Sequence, residues 1–201
     1  MKLYSNPFSR GTRPRWLLEE LGVPYALVHV DMKAGAHKEP GYRAIHPLGR
    51  VPALVEEDGR TVIESGAICL YLADKYIDRG LAPAFGSPAR GAYYQWAFYA
   101  YATLEAPVTQ YFTHTRSAPE DKRQAHLADE ALVSFRAACG PIEAVLATSE
   151  WLVEGGFGAA DVLVGSILVW AGRMGMLTGL PALGAYADRC QARPAYMRSR
   201  T

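Results

Sequence analysis

The sequence predicts two domains of different class: an α/β unit in the order βαβ then ββα over residues 1–77, followed by an all-helical unit over residues 88–201. Three observations carry this expectation. Short apolar strands alternate with helical stretches as far as Tyr76. The run Ile77 to Pro88 holds Gly80, Pro83, Gly86 and Pro88, a density of breakers that suits a linker. Beyond Pro88 an Ala- and Leu-rich helical pattern dominates. A length of 201 residues suits two modest domains, because hydrophobic cores are organised in blocks of roughly 100–150 residues.

Lys2 to Tyr4 is a short strand, followed by the polar turn Ser5-Asn6-Pro7 and a helix around Arg13 to Leu21, whose Trp16, Leu17 and Leu21 share a face. Gly22 is placed to close that helix in the left-handed conformation. Tyr25 to Val30 reads as a second strand and Lys33 to Ile45 as irregular. Ala53 to Glu56 and Thr61 to Ile63 are two strands joined through Asp58-Gly59, a hairpin signal. Ser65 to Tyr76 shows helical spacing at Ile68, Tyr71, Leu72 and Tyr76, with Ser65 as a suitable N-cap. Later helices are expected over Ala89 to Thr115, Glu120 to Ala147, Ala159 to Met174 and Leu180 to Gln191.

Composition narrows the function. Half the residues are hydrophobic and 20% are charged, as in a globular chain with a sizeable core. A net charge of +1 with no basic run lacks the footprint of a nucleic-acid binder. The densest basic cluster, Arg10, Arg13 and Arg15, lies at a helix start and suits a small anion as well as it suits solvent. Cys69, Cys139 and Cys190 have neither the spacing of a disulfide framework nor that of a metal site, so buried thiols and no metal are expected. No apolar run reaches the ~20 residues needed to cross a bilayer, and the first residues lack a signal-peptide pattern. A cytoplasmic protein that engages neither membrane nor nucleic acid is the expectation.

Two stretches are highly specific: His46-Pro47-Leu48-Gly49-Arg50-Val51-Pro52-Ala53-Leu54 and, after the hairpin, Val62-Ile63-Glu64-Ser65-Gly66-Ala67-Ile68-Cys69-Leu70-Tyr71-Leu72. Through them the chain resembles the cytosolic glutathione S-transferases over nearly its whole length, of the bacterial type with a serine active site. The resemblance implies a thioredoxin-like N-terminal domain, an all-helical C-terminal domain, and glutathione as co-substrate. It implies that the Val51-Pro52 bond is cis and that Val51 offers its N–H and C=O to the cysteinyl backbone of glutathione, which is read like an added strand. At the next strand-to-helix junction it implies that Ser65 bonds the γ-glutamyl carboxylate, where free helix amides favour an anion, and that Glu64 pairs with the γ-glutamyl ammonium. Arg50, His37 and Lys38 stand where relatives reach the glycyl carboxylate. His46 replaces a common asparagine and is expected to make a structural hydrogen bond to its loop.

A cysteine thiol of pKa near ~8.5 is only a few per cent thiolate at neutral pH. A hydrogen bond to a charged group contributes roughly 1.5–3 kcal/mol, enough to lower that pKa by about one to two units. A hydroxyl after the first strand therefore suffices. Ser9, four residues before Arg13, matches the spacing of serine-type members, with Ser5 and Thr12 as rivals and Tyr4 read as core or site wall. Arg13 is assigned electrostatic support, either as a positive field near the thiolate or as an anchor of the loop.

In the helical half, Gly158 stands where relatives carry Ser or Thr, Asp161 completes half of a capping box, and Phe157 with Val162 forms a staple. Tyr93, Tyr94, Trp96, Phe98, Tyr99, Tyr101, Tyr111 and Phe112 are too many for one helix face, so some are left for a ligand or a partner. The reading is a homodimeric enzyme conjugating glutathione to hydrophobic electrophiles. The alternatives are a non-catalytic binding or regulatory relative, and a glutathione-dependent isomerase or reductase.

Overall fold

The computed structural model describes residues 1–7 and 9–200, and the chain divides into two compact units: Met1–Ala82 together with the residues from Arg193 onward, and Pro83–Ala192. The division falls inside the predicted linker. The last residues, expected in the helical domain, instead pack with the first unit, and the expected domain end at residue 201 lies outside the described residues.

The first unit holds a four-stranded mixed sheet in the order β2-β1-β3-β4. Strand β1 (Lys2–Ser5) runs parallel to β2 (Ala26–His29) and antiparallel to β3 (Ala53–Val55), which pairs antiparallel with β4 (Thr61–Ile63). Leu3 sits opposite both Leu27 and Leu54 and is fully buried, so the centre of β1 is core. Helix α1 (Thr12–Leu21) buries Trp16, Leu17, Leu18 and Leu21. It stops at Gly22, whose φ of 64° lets its N–H return to the Leu18 carbonyl at 3.1 Å. The β3–β4 hairpin turns at Gly59, φ 85°, where Asp58 accepts the Arg60 N–H.

The segment after β2, read as irregular, contains a 3-10 turn at Ala36–Lys38 and one helical turn, α2 (Pro40–Arg43). Helix α3 (Ser65–Lys75) buries Ile68, Cys69, Leu72 and Ala73. Its Tyr71 and Lys75 donate to Glu56 at 2.9 and 2.7 Å, tying helix to sheet. A last short helix, α9 (Pro194–Arg198), returns to α1. Arg193 clamps Glu20 with two bonds of 2.6 and 2.8 Å, Trp16 donates to the same carboxylate at 2.9 Å, and the Trp16 and Tyr196 rings meet edge-on at 5.0 Å.

The second unit comprises α4 (Ala89–Tyr99), α5 (Glu105–Phe112), α6 (Ala125–Leu146), α7 (Ala159–Gly172) and α8 (Pro181–Ala192). The expected single helix over Ala89 to Thr115 is broken by π turns at Ala100–Leu104 and Thr113–Ser117. Pro107 accounts for the first: it has no N–H for the Thr103 carbonyl, so the ladder loosens a turn earlier. Helix α7 is apolar all round and buries Val162, Leu163, Val164, Ile167 and Leu168, which makes it the core of this unit. The aromatics divide as their number demands: Tyr93 and Trp96 are buried, while Tyr94 and Phe98 are exposed.

Candidate functional site

The register Tyr4↔Ala53↔Ile63 brings three chain segments to one end of the sheet. They are the loop leaving β1, the residues entering β3, and the junction between β4 and α3. Ser9, Val51, Pro52, Glu64 and Ser65 all belong to these segments, so residues as far apart in sequence as Ser9 and Ser65 share one rim of the first unit.

The loop after β1 is built on side-chain bonds. Asn6 donates to the Val30 carbonyl at 2.9 Å, fixing the loop to the end of β2. The Ser9 hydroxyl donates to the Asn6 carbonyl at 2.6 Å and accepts the Gly11 N–H at 3.1 Å. Thr12 donates to the Ser9 carbonyl at 3.0 Å. Each hydroxyl has a single proton to give, so both Ser9 and Thr12 spend theirs on loop backbone. Ser5 is buried, and Gly11 is needed not for its φ of −62° but for space, since a Cβ there would run into the Ser5 hydroxyl.

Arg13 is 4% exposed and its charge acts on Cys69 of α3, which puts the guanidinium in the α1–α3 packing of the first unit. Burial pushes the Cys69 thiol well above its ordinary range and outweighs that charge, so Cys69 is no nucleophile. Cys139 and Cys190 are also buried.

The Val51-Pro52 bond is cis, and Pro52 is buried directly ahead of β3. Before it, Tyr42 donates to the Arg50 carbonyl at 2.6 Å. Gly49, φ 58°, lies so close to the 3-10 turn that a Cβ would stand 2.5 Å from the His37 carbonyl oxygen. That approach packs His37 and Lys38 against the loop carrying Arg50. Lys38 and Arg50 are exposed, and His37 is half-buried.

At the head of α3 the cap is Glu64 rather than Ser65: Ser65 is the first helical residue and 4% exposed. Glu64 has φ 70° and ψ 116°, the one non-glycine residue with positive φ among the described residues. Such a conformation costs a side-chain-bearing residue about 1–3 kcal/mol and persists where surrounding structure imposes it, often at a ligand clamp. Glu64 is exposed and directly precedes the first turn of α3, where the positive end of the helix dipole lies.

His46 is 3% exposed, and burial lowers its pKa against the raising influence of Glu64. Its backbone ties the loop together: its N–H donates to the Tyr42 carbonyl and its carbonyl accepts from Gly49 at 2.8 and 2.7 Å, while the buried Nδ1 has no hydrogen-bond partner. The side-chain bond expected from the sequence is not at Nδ1. Among the described residues no group of three or more potential metal ligands converges, and no helix is long and apolar enough to cross a membrane.

The arrangement is thus a thioredoxin-like domain with an anion-receptive helix end, a cis-proline edge and a hydroxyl-rich loop on one rim. The family models for the glutathione S-transferase N-terminal domain and C-terminal domain match residues 1–74 and 94–194. Glutathione S-transferase GstA of Escherichia coli O157:H7 is 30% identical over 96% of this chain and 94% of its own length. Disulfide-bond oxidoreductase YfcG of Escherichia coli is 28% identical over 96% and 91%. A sphingomonad glutathione S-transferase complexed with glutathione superposes with a TM-score of 0.85 at 28% identity, covering 100% of this chain and 97% of that one. The chain belongs to the glutathione S-transferase family.

The hydroxyl bonds of Ser9 and Thr12 and the backbone of Glu64 were beyond the sequence reading. The Asn6 tie had a signal in the turn residues Ser5-Asn6-Pro7, whereas nothing in a glutamate at position 64 announces positive φ.

Proposed function

We propose that the protein binds glutathione along this rim, holds its sulfur as thiolate and transfers it to hydrophobic electrophiles. The observation that carries the proposal is the strained, exposed Glu64 at the N-terminal head of α3, where a carboxylate and the positive end of the helix dipole meet in one short segment, complementary to an α-amino acid end. Glu64 receives the γ-glutamyl ammonium, and Ser65 with the helix amides receives its carboxylate. Val51 offers backbone to the cysteinyl residue beside Pro52. Arg50, His37 and Lys38 supply positive charge for the glycyl carboxylate. Ser9 donates to the sulfur, and Arg13 supports from within the α1–α3 packing. The protein contributes position and electrostatics, since the nucleophile belongs to glutathione. We further propose a cytoplasmic homodimer.

Likeness to a relative named as a disulfide-bond oxidoreductase favours one second reading, in which the bound thiolate attacks a disulfide. The three cysteines are buried, so that chemistry would also rest on the sulfur of glutathione. The two readings separate in one assay: the purified chain with glutathione is offered an aromatic halide electrophile and, separately, a low-molecular-weight disulfide. Transfer is expected to show conjugate accumulating faster than without protein; turnover of the disulfide alone would replace it with the reductase reading.

A further inference from the structure

Tyr42 lies outside the three segments of the rim, yet it takes hold of the peptide group that leads into one of them. It belongs to α2, is 8% exposed, and donates its hydroxyl to the Arg50 carbonyl at 2.6 Å. That carbonyl and the Val51 N–H are the two ends of a single peptide group. The Arg50–Val51 bond is trans, the cis bond being the next one, Val51-Pro52. In a planar trans peptide the C=O and N–H point in opposite directions, so a partner that fixes the carbonyl also aims the N–H. Among the described residues the Val51 N–H meets no acceptor, which leaves it available to a ligand.

Tyr42 is itself held firmly. Its backbone carbonyl accepts the N–H groups of His46 and Ile45 at 2.8 and 2.9 Å, and its ring meets that of Tyr4 with centroids 5.9 Å apart. Tyr4 stands opposite Ala53 in the sheet, so the ring rests on the strand beside the one that Val51 and Pro52 lead into. Burial, with Tyr4 alongside, pushes the Tyr42 hydroxyl up to about 12, and it keeps its one proton for donation at neutral pH. A bond received by the Arg50 carbonyl also polarises the peptide, which makes the Val51 N–H a stronger donor. Phenylalanine at position 42 would keep the ring packing and lose both effects.

We infer, on the glutathione-binding reading proposed above, that Tyr42 is a positioning residue: through the Arg50–Val51 peptide it aims and strengthens the N–H that Val51 offers to the cysteinyl residue of glutathione. Tyr42 touches neither the peptide ligand nor its sulfur, so its effect falls on affinity and not on activation of the thiol.

The test compares wild type with Tyr42→Phe and, as a control, Tyr71→Phe, which removes a hydroxyl of the same unit that is spent on Glu56 at 2.9 Å. In calorimetric titration with glutathione, Tyr42→Phe should bind about three- to tenfold more weakly and Tyr71→Phe like wild type. KM for glutathione should rise by the same factor in Tyr42→Phe while kcat and the pKa of the bound thiol stay as in wild type, because the contact serves ground and transition states alike. In the ligand-free protein the Val51 amide nitrogen resonance should move upfield in Tyr42→Phe, with the resonances of β4 in place. Unaltered affinity in Tyr42→Phe, an equal loss of affinity in both variants, or an unmoved Val51 resonance each overturns the assignment of Tyr42. Failure of wild type itself to bind glutathione is a separate result, and it overturns the proposed function together with this role.

Discussion

The Ser9 hydroxyl gives its proton to the Asn6 carbonyl and takes one from Gly11, so stabilising a thiolate means exchanging a neutral bond for a charge-assisted one. With about 1.5–3 kcal/mol gained and about 1 kcal/mol released, the net lowers the thiol pKa by roughly one unit. Ser9→Ala is therefore expected to raise the pKa of bound glutathione, followed by thiolate absorbance, and to slow turnover at neutral pH by roughly three- to thirtyfold with partial recovery at high pH. Ser5→Ala and Thr12→Val should change turnover much less; the reverse pattern would move the role to one of them. Glu64 offers a second prediction, because its positive φ is a cost that glycine would not bear. Glu64→Gly should unfold at the same urea concentration as wild type or higher, yet bind glutathione at least tenfold more weakly. A clear loss of stability in Glu64→Gly would show that the backbone there is unstrained.

Among the elements, helix α7 shows how a substituted cap is rescued. Gly158 has no side chain to return to the helix, but Asp161 accepts from the N–H groups of Gly158 and Leu152 at 3.0 Å each and from Tyr186 at 2.8 Å. Burial nevertheless wins over these three donors and pushes the Asp161 carboxyl up to about 6. The folded chain then holds this proton more tightly than the unfolded chain. The Asp161 contribution to stability is full below pH ~4 and is lost as pH rises through ~6, by about 3 kcal/mol at most. Urea midpoints of wild type minus Asp161→Asn should fall across that window; a flat difference contradicts the assignment. Strands and most helices were legible in the sequence because period and punctuation coincide, as at Leu21-Gly22 and Asp58-Gly59. What was illegible depends on distant partners. The fold-back of α9 requires Glu20 to meet Arg193, 173 positions away, and the break near Pro107 lies within a pattern that otherwise reads as one helix. Of the candidate site, the segments 50–52 and 64–65 stood out through their likeness to the family pattern, whereas the bonds of the loop hydroxyls depend on Asn6 and Gly11 in the folded loop.

For the whole molecule, Phe98 of α4 and Val133 of α6 stand 69% and 68% accessible, apolar side chains of the helical unit that the proposed dimer would cover. Sedimentation at micromolar concentration should return twice the chain mass, and Phe98→Glu should shift it toward monomer; a monomeric wild type removes the dimer from the proposal. The two units answer different demands. The helical unit supplies a core centred on α7, and the first unit gathers the β1–α1 loop, the residues entering β3 and the β4–α3 junction on one rim of its sheet. The claim that this rim is a glutathione site is tested most directly by calorimetric titration of wild type against Glu64→Ala/Ser65→Ala. Saturable binding at or below millimolar glutathione in wild type, weakened by a hundredfold or about 2.7 kcal/mol in the double variant, is the expected result. No heat of binding in wild type at ~10 mM glutathione, or equal affinity in the two proteins, would contradict it.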